Sequence, residues 1–177
     1  LPRHVMFSNY LGANYTESPG YLGPAWGPVN VLPGSIPAKP PFSIAHSEVR
    51  HAPQGNKLPD GITDQEHLER GELRRALSSS FALGRQREAA LSSYEGAFSR
   101  VRGLMDSAEL FNIDREPRKI QDRYGPTAFG QHALIARRLI EAGVPYVRVN
   151  RGWWDHHGQN FEMHQEMVPE FDHVLAV

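Results

Sequence analysis

The sequence predicts an α/β fold with a mostly parallel sheet, in a chain that is otherwise rich in helix. An amphipathic helical pattern ends at Gly143, and an apolar, β-branched run at residues 146–150 follows it directly. This order of helix, glycine and strand is the crossover unit of parallel sheets. A second apolar run, at residues 5–7, predicts another strand within the core near the start of the chain.

Composition limits the classes of protein that the chain can represent. It has 177 residues and a formal net charge of -1, which fits one globular domain or a large piece of one. So small a charge predicts no nucleic-acid partner and no attraction to anionic lipid. No apolar run approaches the roughly 20 residues that span a membrane. Cysteine is absent, which excludes disulfides, thiolate metal sites and cysteine nucleophiles.

Both ends of the sequence have the pattern of interrupted elements. Residues 5–7 are typical of the end of a buried strand, and residues 171–177 of an amphipathic helix without a C-cap glycine or polar tail. There is no initiating Met and no signal peptide. We therefore expect residues 1–177 to be an internal, incomplete part of a single larger domain.

Two regions differ in composition. Residues 8–61 are rich in Gly and Pro, which break helices and strand ladders, so a long loop region is expected there. Aromatic residues argue against disorder in this region. It is therefore either a surface meander packed by its own aromatics or a substrate-side loop that covers a cleft. Residues 62–177 are predicted to be mostly helical.

The first two predicted helices follow residue 62. Thr63 or Asp64 can cap the first, which carries Leu68, Leu73 and Leu77. The second has an apolar stripe at steps of three and four residues. That stripe consists of Leu91, Tyr94, Phe98, Val101 and Met105. The charged residues off the stripe are expected in solvent, as plain surface, and they are Arg85, Arg87, Glu88, Arg100 and Arg102.

The next two helices have clear ends. Pro117 fits the first turn of one, and Gly125 fits the position just after it. Thr127 is a predicted N-cap for the other, which runs to about Ala142 before Gly143. Its predicted apolar face contains Phe129, Ala133, Ala136, Leu139 and Ile140.

The predicted strand at residues 146–150 has the apolar pattern of a strand buried on both faces. Arg148 interrupts it, as an edge exception or as a partner of a carboxylate. A last helix is expected after Asn160, and Pro169 should kink or restart it. Its predicted apolar residues are Phe161, His164, Met167, Val168, Phe171, Val174 and Leu175.

The candidate functional residues lie in the loop at residues 150–160. Ligands bind beyond the carboxyl ends of strands in open α/β sheets. This loop holds Asp155, His156 and His157, and Asp and His are common ligands of zinc and similar ions. A metal there would lower the pKa of bound water and stabilise charge on a transferring group. The alternative is that Asp155 and His157 only hydrogen-bond a tight turn.

Several stretches, taken in order, resemble a bacterial family known as domain of unknown function 1501. Most lie beyond residue 114, and the resemblance thins between about residues 30 and 105. The matching stretches are residues 20–25, 115–117, 122–125, 129–131, 136–144, 147–150, 152, 154–157 and 160–161.

The resemblance implies membership of the alkaline phosphatase and sulfatase superfamily. Proteins of that superfamily have an α/β/α sandwich and hold metal ions with Asp and His on loops at strand ends. It implies a metal-dependent hydrolase of sulfate or phosphate esters, with a small-molecule or glycan ester as substrate. It also implies twin-arginine export, and hence a periplasmic or extracellular location. The nucleophile and one metal cluster are expected before residue 1, and further ligands beyond Val177.

The family pattern at the loop is Gly-Trp-Asp-x-His-x-x-Asn. Carried over residue by residue, it makes Asp155 and His157 ligands of a divalent ion, which would be zinc, calcium or manganese. His156 occupies a variable position and becomes a substrate-facing candidate together with Trp154 and Asn160. Asn160 is also a candidate helix cap.

A second class of function fits the same loop. A non-catalytic or degenerate relative could bind a glycan by stacking sugar rings on Trp26, Trp153 and Trp154, although Trp is more often buried. Other residues give weaker signals. His173 is expected on the polar side of its helix and His164 in a core or interface. His132 is expected to pack or to face solvent.

Overall fold

The structure is a computed structural model that describes residues 1–8, 20–23, 26–31, 58–83, 85, 89–151, 154 and 157–177. Its strands are β1 (His4–Ser8), β2 (Val29–Val31) and β3 (Tyr146–Asn150). Its helices are α1 (Asp64–Ala82), α2 (Ala89–Met105), α3 (Arg118–Tyr124), α4 (Ala128–Glu141) and α5 (Asn160–Leu175). Short 3-10 turns occupy Gly20–Leu22, Ala108–Phe111 and Ile113–Arg115. The predicted α/β class is confirmed.

The described sheet is parallel and has the strand order β2-β1-β3. β1 is central, and its residue Phe7 pairs with Val31 on one side and Val149 on the other. Val5 and Phe7 are fully buried, as the apolar run at residues 5–7 predicts. Both strand pairs join segments that are separated in sequence, because neighbouring parallel strands need a crossover connection.

The short strand β2 corrects the prediction that residues 8–61 contain only loop. Its Val31 is fully buried in the core. Three residues between prolines are too few to show the alternation by which a strand is recognised from sequence. The rest of the predicted loop region lies largely outside the described residues.

β3 lies at an edge of the described sheet, so the expectation that it is buried on both faces is wrong. Tyr146 and Arg148 are exposed. Arg148 lies exposed on this edge strand, and its Nε donates to Oδ1 of Asn150 at 2.7 Å. An apolar run cannot distinguish a central strand from an edge strand, because the distinction depends on the neighbouring strands.

Helix α4 covers the sheet and contributes four of the eleven buried hydrophobic residues of the described core. Its Ile135 and Leu139 are fully buried in one apolar cluster with residues of β1 and β2. Its His132 is also fully buried, with its ring stacked on Phe7 at 5.0 Å between centroids. The predicted face was partly wrong, since Ile140 is 50% exposed while Ile135 is buried. Apolar residues surround much of this helix, so periodicity alone does not select the side that meets the sheet.

Of the two predicted caps of α1, Thr63 is the N-cap, and it forms a capping box with Glu66. The Thr63 hydroxyl accepts from the Glu66 N–H at 3.2 Å, and the Glu66 carboxylate accepts from the Thr63 N–H at 2.9 Å. Hydrogen bonds from the backbone and side chain of Thr63 lower the pKa of the Glu66 carboxyl. The apolar residues of α1 remain exposed, however, and they include Leu68, Leu73, Leu77 and Phe81. Local signals therefore set where α1 starts without burying its apolar side.

The arginines of α2 depart from the expectation that they are solvated. Arg100 is half-buried, and its Nη1 donates to the carbonyl of Gly27 at 2.8 Å. Arg102 is also half-buried, whereas Arg85 is exposed as predicted. Residues 87 and 88 lie outside the described residues. Burial of Arg100 follows from a contact 73 positions away in sequence, which helical periodicity does not register.

Helix α5 runs through Pro169 as one helix, so the predicted restart does not occur. Met167 is buried, in agreement with the predicted apolar face. Phe161, Val168 and Leu175 are exposed instead of packed. The buried side of α5 is therefore narrower than the predicted apolar side. Among the described residues, α5 packs mainly against α4.

Glu116 ties the segment before α3 to α4. Its two carboxylate oxygens accept from Arg137 Nη2 at 2.8 Å and from Arg138 Nη1 at 3.0 Å. The side chains of Glu116 and Arg138 are only 16% and 12% exposed. Arg138 Nη2 also donates to the carbonyl of Glu109 at 2.9 Å. One carboxylate thus accepts hydrogen bonds from two guanidinium groups that the fold partly removes from water.

Replacing Glu116 by Gln should destabilise the fold. The change leaves two partly buried cations with one neutral acceptor, and we expect a loss of about 2–4 kcal/mol in the free energy of unfolding. Glu141→Gln is the matched control, because Glu141 also pairs with Arg137 but is 63% exposed. The control should cost less than about 0.5 kcal/mol. Equal losses in urea denaturation of the two variants would contradict this role for Glu116.

Gly130 provides a second test of the packing of α4. A Cβ at this position would overlap the backbone carbonyl of Tyr124. We expect Gly130→Ala to lower the free energy of unfolding by about 2–3 kcal/mol, because backbone must move. Gly158→Ala meets nothing within 4 Å and should change stability by less than about 0.5 kcal/mol. If the Gly130→Ala variant unfolds at the same midpoint temperature as the parent, α4 at Gly130 does not lie this close to the end of α3 at Tyr124.

Candidate functional site

The candidate loop leaves the sheet at the edge where all three described strands end. Asn150, the last residue of β3, pairs in parallel register with Ser8, the last residue of β1. Because parallel strands present their carboxyl ends at one edge, the chain after Asn150 starts beside the chain that leaves β1. The prediction that residues 150–160 follow a strand end in an α/β sheet is therefore confirmed.

A buried ion pair fixes the start of this loop to α5. Arg151 Nε donates to a carboxylate oxygen of Glu170 at 2.8 Å, and the two side chains are 9% and 7% exposed. Arg151 is the first residue after β3, and Glu170 lies on the inward side of the helix that follows the loop. The pair thus holds the start of the loop against the middle of α5.

The second oxygen of Glu170 is buried and has no hydrogen-bond partner among the described residues. Sequence reasoning did not select either member of the pair. The available signal was a charged residue at position 170 on the same side of α5 as Met167 and Phe171, together with an Arg directly after a strand. Such a charge on an inward face needs a partner, because isolated buried charges are strongly unfavourable.

Trp154 packs its indole against α5. Its ring is 5.4 Å from the Phe171 ring and 6.1 Å from the His164 ring, in edge-to-face arrangements. Phe171 in turn stacks on Phe129 of α4 at 5.9 Å. Trp154 remains 40% exposed. The aromatic contacts therefore hold the middle of the loop against the helices while part of the indole faces solvent.

The predicted metal ligands are only partly within the described residues. Asp155 and His156 lie outside them, as does Trp153, so their side chains are not placed. His157 is described and exposed. Within the described part of the chain, no three His, Asp or Glu side chains are grouped so that they could hold a metal ion. His157 is therefore the described residue that could supply an imidazole ligand from this loop.

Asn160 does not have the predicted capping role. It is the first residue of α5, and the N-cap is Gln159, whose φ of 52° places it in the left-handed region. No side-chain hydrogen bond caps this helix end. The Asn160 side chain is exposed, and the backbone carbonyl of Asn160 accepts from Nδ1 of His164 at 2.7 Å. Asn160 thus stays available as a polar group next to His157.

Two weaker histidine candidates have structural surroundings. His164 is half-buried against Trp154, which agrees with the expected core or interface position. His173 is exposed, and its Nε2 lies 3.6 Å from the position that a Cβ on Gly125 would occupy.

None of the helices within the described ranges is long and apolar enough to cross a membrane.

The fold and the loop define the chain as an α/β protein with a parallel sheet and a candidate site at a strand end. The family described as "Protein of unknown function (DUF1501)" matches residues 1–177, and the chain belongs to that family. The resemblance inferred from the motifs is confirmed at this level. No curated protein and no solved structure matches the chain.

The buried pair of Arg151 and Glu170 yields a test by a double-mutant cycle. Arg151→Met and Glu170→Leu should each reduce the free energy of unfolding by about 3–5 kcal/mol, because each leaves an uncompensated buried charge. The double variant leaves no charge there and should be more stable than either single variant. Strictly additive losses, measured by chemical denaturation, would show that the two side chains do not interact.

Proposed function

We propose that the chain is part of a metal-dependent hydrolase of sulfate or phosphate esters, of the alkaline phosphatase and sulfatase type. Asp155 and His157 bind a divalent ion, which is zinc, calcium or manganese, together with ligands from other loops. The observation that carries the proposal is the position of their loop, which begins where β3 and β1 end side by side. That edge is the usual ligand-binding edge of open α/β sheets.

The described residues fit the donor side of this proposal. His157 is exposed, and a neutral imidazole is a common ligand of zinc and similar ions. The buried pair of Arg151 and Glu170 restrains the start of the loop, and metal ligands need such support to keep their geometry. When bound, the ion would supply Lewis-acid stabilisation of charge on the transferring sulfuryl or phosphoryl group.

Three polar or amphipathic groups face the substrate in this proposal. They are His156, Asn160 and Trp154, of which Asn160 and Trp154 are exposed and lie three residues from His157 in the sequence. Asn160 offers hydrogen bonds to ester or sugar oxygens. Trp154 offers an apolar surface for the remainder of a small-molecule or glycan ester. The same proposal places the enzyme in the periplasm or outside the cell after twin-arginine export, as the family resemblance implies.

An alternative function is glycan binding without turnover. Trp154 and Trp26 are 40% and 47% exposed, which would suit stacking on a sugar ring. The guanidinium carbon of Arg3 lies 4.3 Å from the centroid of the Trp26 ring, however, so that one face of this indole is already covered. Trp153 lies outside the described residues. The metal proposal is preferred because it uses the strand-end position of the whole loop.

The metal proposal predicts that Asp155→Ala and His157→Ala each reduce the metal content of the full-length protein. His173→Ala is the matched control, because His173 is an exposed histidine on α5 with its ring against Gly125. The control should keep the metal content of the parent. Elemental analysis by plasma mass spectrometry of the four purified proteins makes the measurement.

Zinc, calcium or manganese that is stoichiometric in the parent and falls in both loop variants would support the hydrolase. Hydrolysis of sulfate and phosphate esters should then fall in the same two variants. Unchanged metal in both variants would refute the ligand assignment. Protein that contains no metal yet binds glycans would instead establish the alternative function.

A further inference from the structure

A basic groove lies between α1 and α2, outside the candidate loop. Its volume is about 640 Å³. Four guanidinium groups line it, against one carboxylate. The charged and titratable lining residues are His67, Arg70, Arg74, Arg75, Glu95 and Arg102. The groove is therefore strongly positive, in a chain whose formal net charge is -1.

The acidic residues of α1 do not line this groove. Asp64, Glu66 and Glu69 belong to the same helix but are absent from its lining. The lining of the groove therefore includes arginines of α1 but none of the carboxylates of that helix. Charge segregation of this kind concentrates positive potential in a concave surface and attracts anions.

Two arginines of the groove, one from each helix, make contacts with the opposite helix. Arg74 of α1 pairs with Glu95 of α2 at 3.0 Å, and its guanidinium lies 4.0 Å from the centroid of the Phe98 ring. Arg102 of α2 reaches across to Gly71, where its Nη1 lies 2.8 Å from the position that a Cβ would take. A side chain at position 71 would displace Arg102, so the glycine permits its close approach.

The groove retains hydrogen-bonding capacity for a ligand. Arg102 has no carboxylate partner within 4.0 Å among the described residues, and Arg70 is exposed without an ion pair of that length. Nε of Arg74 is buried and lacks an acceptor among the described residues. Glu95 is the one carboxylate that lines the groove. Guanidinium groups that are free of carboxylates bind sulfate and phosphate oxygens with paired, charge-assisted hydrogen bonds.

The aromatic lining argues against nucleic acid as the occupant. Binding of single-stranded nucleic acid requires open aromatic faces on which bases stack. The aromatic residue that lines this groove is Phe98, and the Arg74 guanidinium already lies over its ring. What remains for recognition is an array of donors for oxyanions. An ester-bearing glycan presents such groups without needing a stacking platform.

We infer that this groove binds sulfate or phosphate ester groups of an anionic oligosaccharide, through Arg70 and Arg102, as a second site away from the candidate loop. The inference rests on the proposed function for its substrate class, since an ester hydrolase that acts on glycans gains from holding further ester groups of the same chain. Two linked sites raise the effective concentration of the ester at the reacting position.

The test is isothermal titration calorimetry of the full-length protein, kept metal-free with EDTA. The probes are a fully sulfated heparin-derived tetrasaccharide, the same tetrasaccharide after desulfation, inorganic sulfate, and a short oligothymidylate. The variants are Arg70→Gln and Arg102→Gln. Arg118→Gln is the matched control, since it removes one charge from an exposed arginine of α3. Circular dichroism checks that each variant folds. If Arg102→Gln fails to fold, Arg70→Gln still tests the groove, because Arg70 is exposed and its replacement should not disturb the fold.

The sulfated tetrasaccharide should bind the parent, and the other three probes should bind at least about tenfold more weakly. Arg70→Gln and Arg102→Gln should each raise the Kd about tenfold, as expected for loss of a charge-assisted hydrogen bond, whereas Arg118→Gln should change it by less than about twofold. Full affinity in both groove variants, or preference for oligothymidylate or inorganic sulfate, would overturn the inference. Because metal-free protein is used, failure of the metal assignment does not affect this result.

Discussion

The parallel pairing of β1 with β3 is the constraint on which the rest of the structure depends. The two strands are separated by more than a hundred residues, so their pairing requires a crossover that packs on the sheet. Helix α4 provides it by burying Ile135 and Leu139 against β1. The same pairing brings the end of β3 beside the end of β1, which makes the loop after Asn150 a candidate site.

Two sets of ion pairs show what some of the family motifs do in this fold: one set packs α4, and the other lies beside the candidate loop. Glu116, in the matching stretch at residues 115–117, binds two arginines from the stretch at residues 136–144. These motifs therefore belong to the packing of α4. The pair of Arg151 and Glu170 acts closer to the loop, since one member directly follows β3 and the other lies on α5. The ion pairs of Glu116 therefore stabilise the packing of α4, whereas the ion pair of Arg151 supports the loop after β3.

The two surfaces considered for function differ in how they are built. The loop after β3 is held by a buried ion pair and by the contacts of Trp154, so its support comes from the core. The groove between α1 and α2 depends on long side chains such as Arg74, and α1 buries no residue. A glycan bound at both surfaces, as we propose, would meet one site supported by the core and another built from long surface side chains.

The sequence by itself determined the local features of this protein. The Thr63 and Thr127 caps, the stop at Gly143 and the extent of β3 follow from short-range hydrogen bonding and backbone freedom, and they were predictable. Sequence also located the candidate loop, and its motifs identified the family.

Only the tertiary structure decided which surfaces meet. It placed β2 in the sheet, made β3 an edge strand, turned Ile135 rather than Ile140 inward, and paired Arg151 with Glu170. These outcomes depend on burial and charge pairing between segments far apart in the chain. Local sequence patterns therefore cannot predict these outcomes, because they do not contain the free energy of contacts between distant segments.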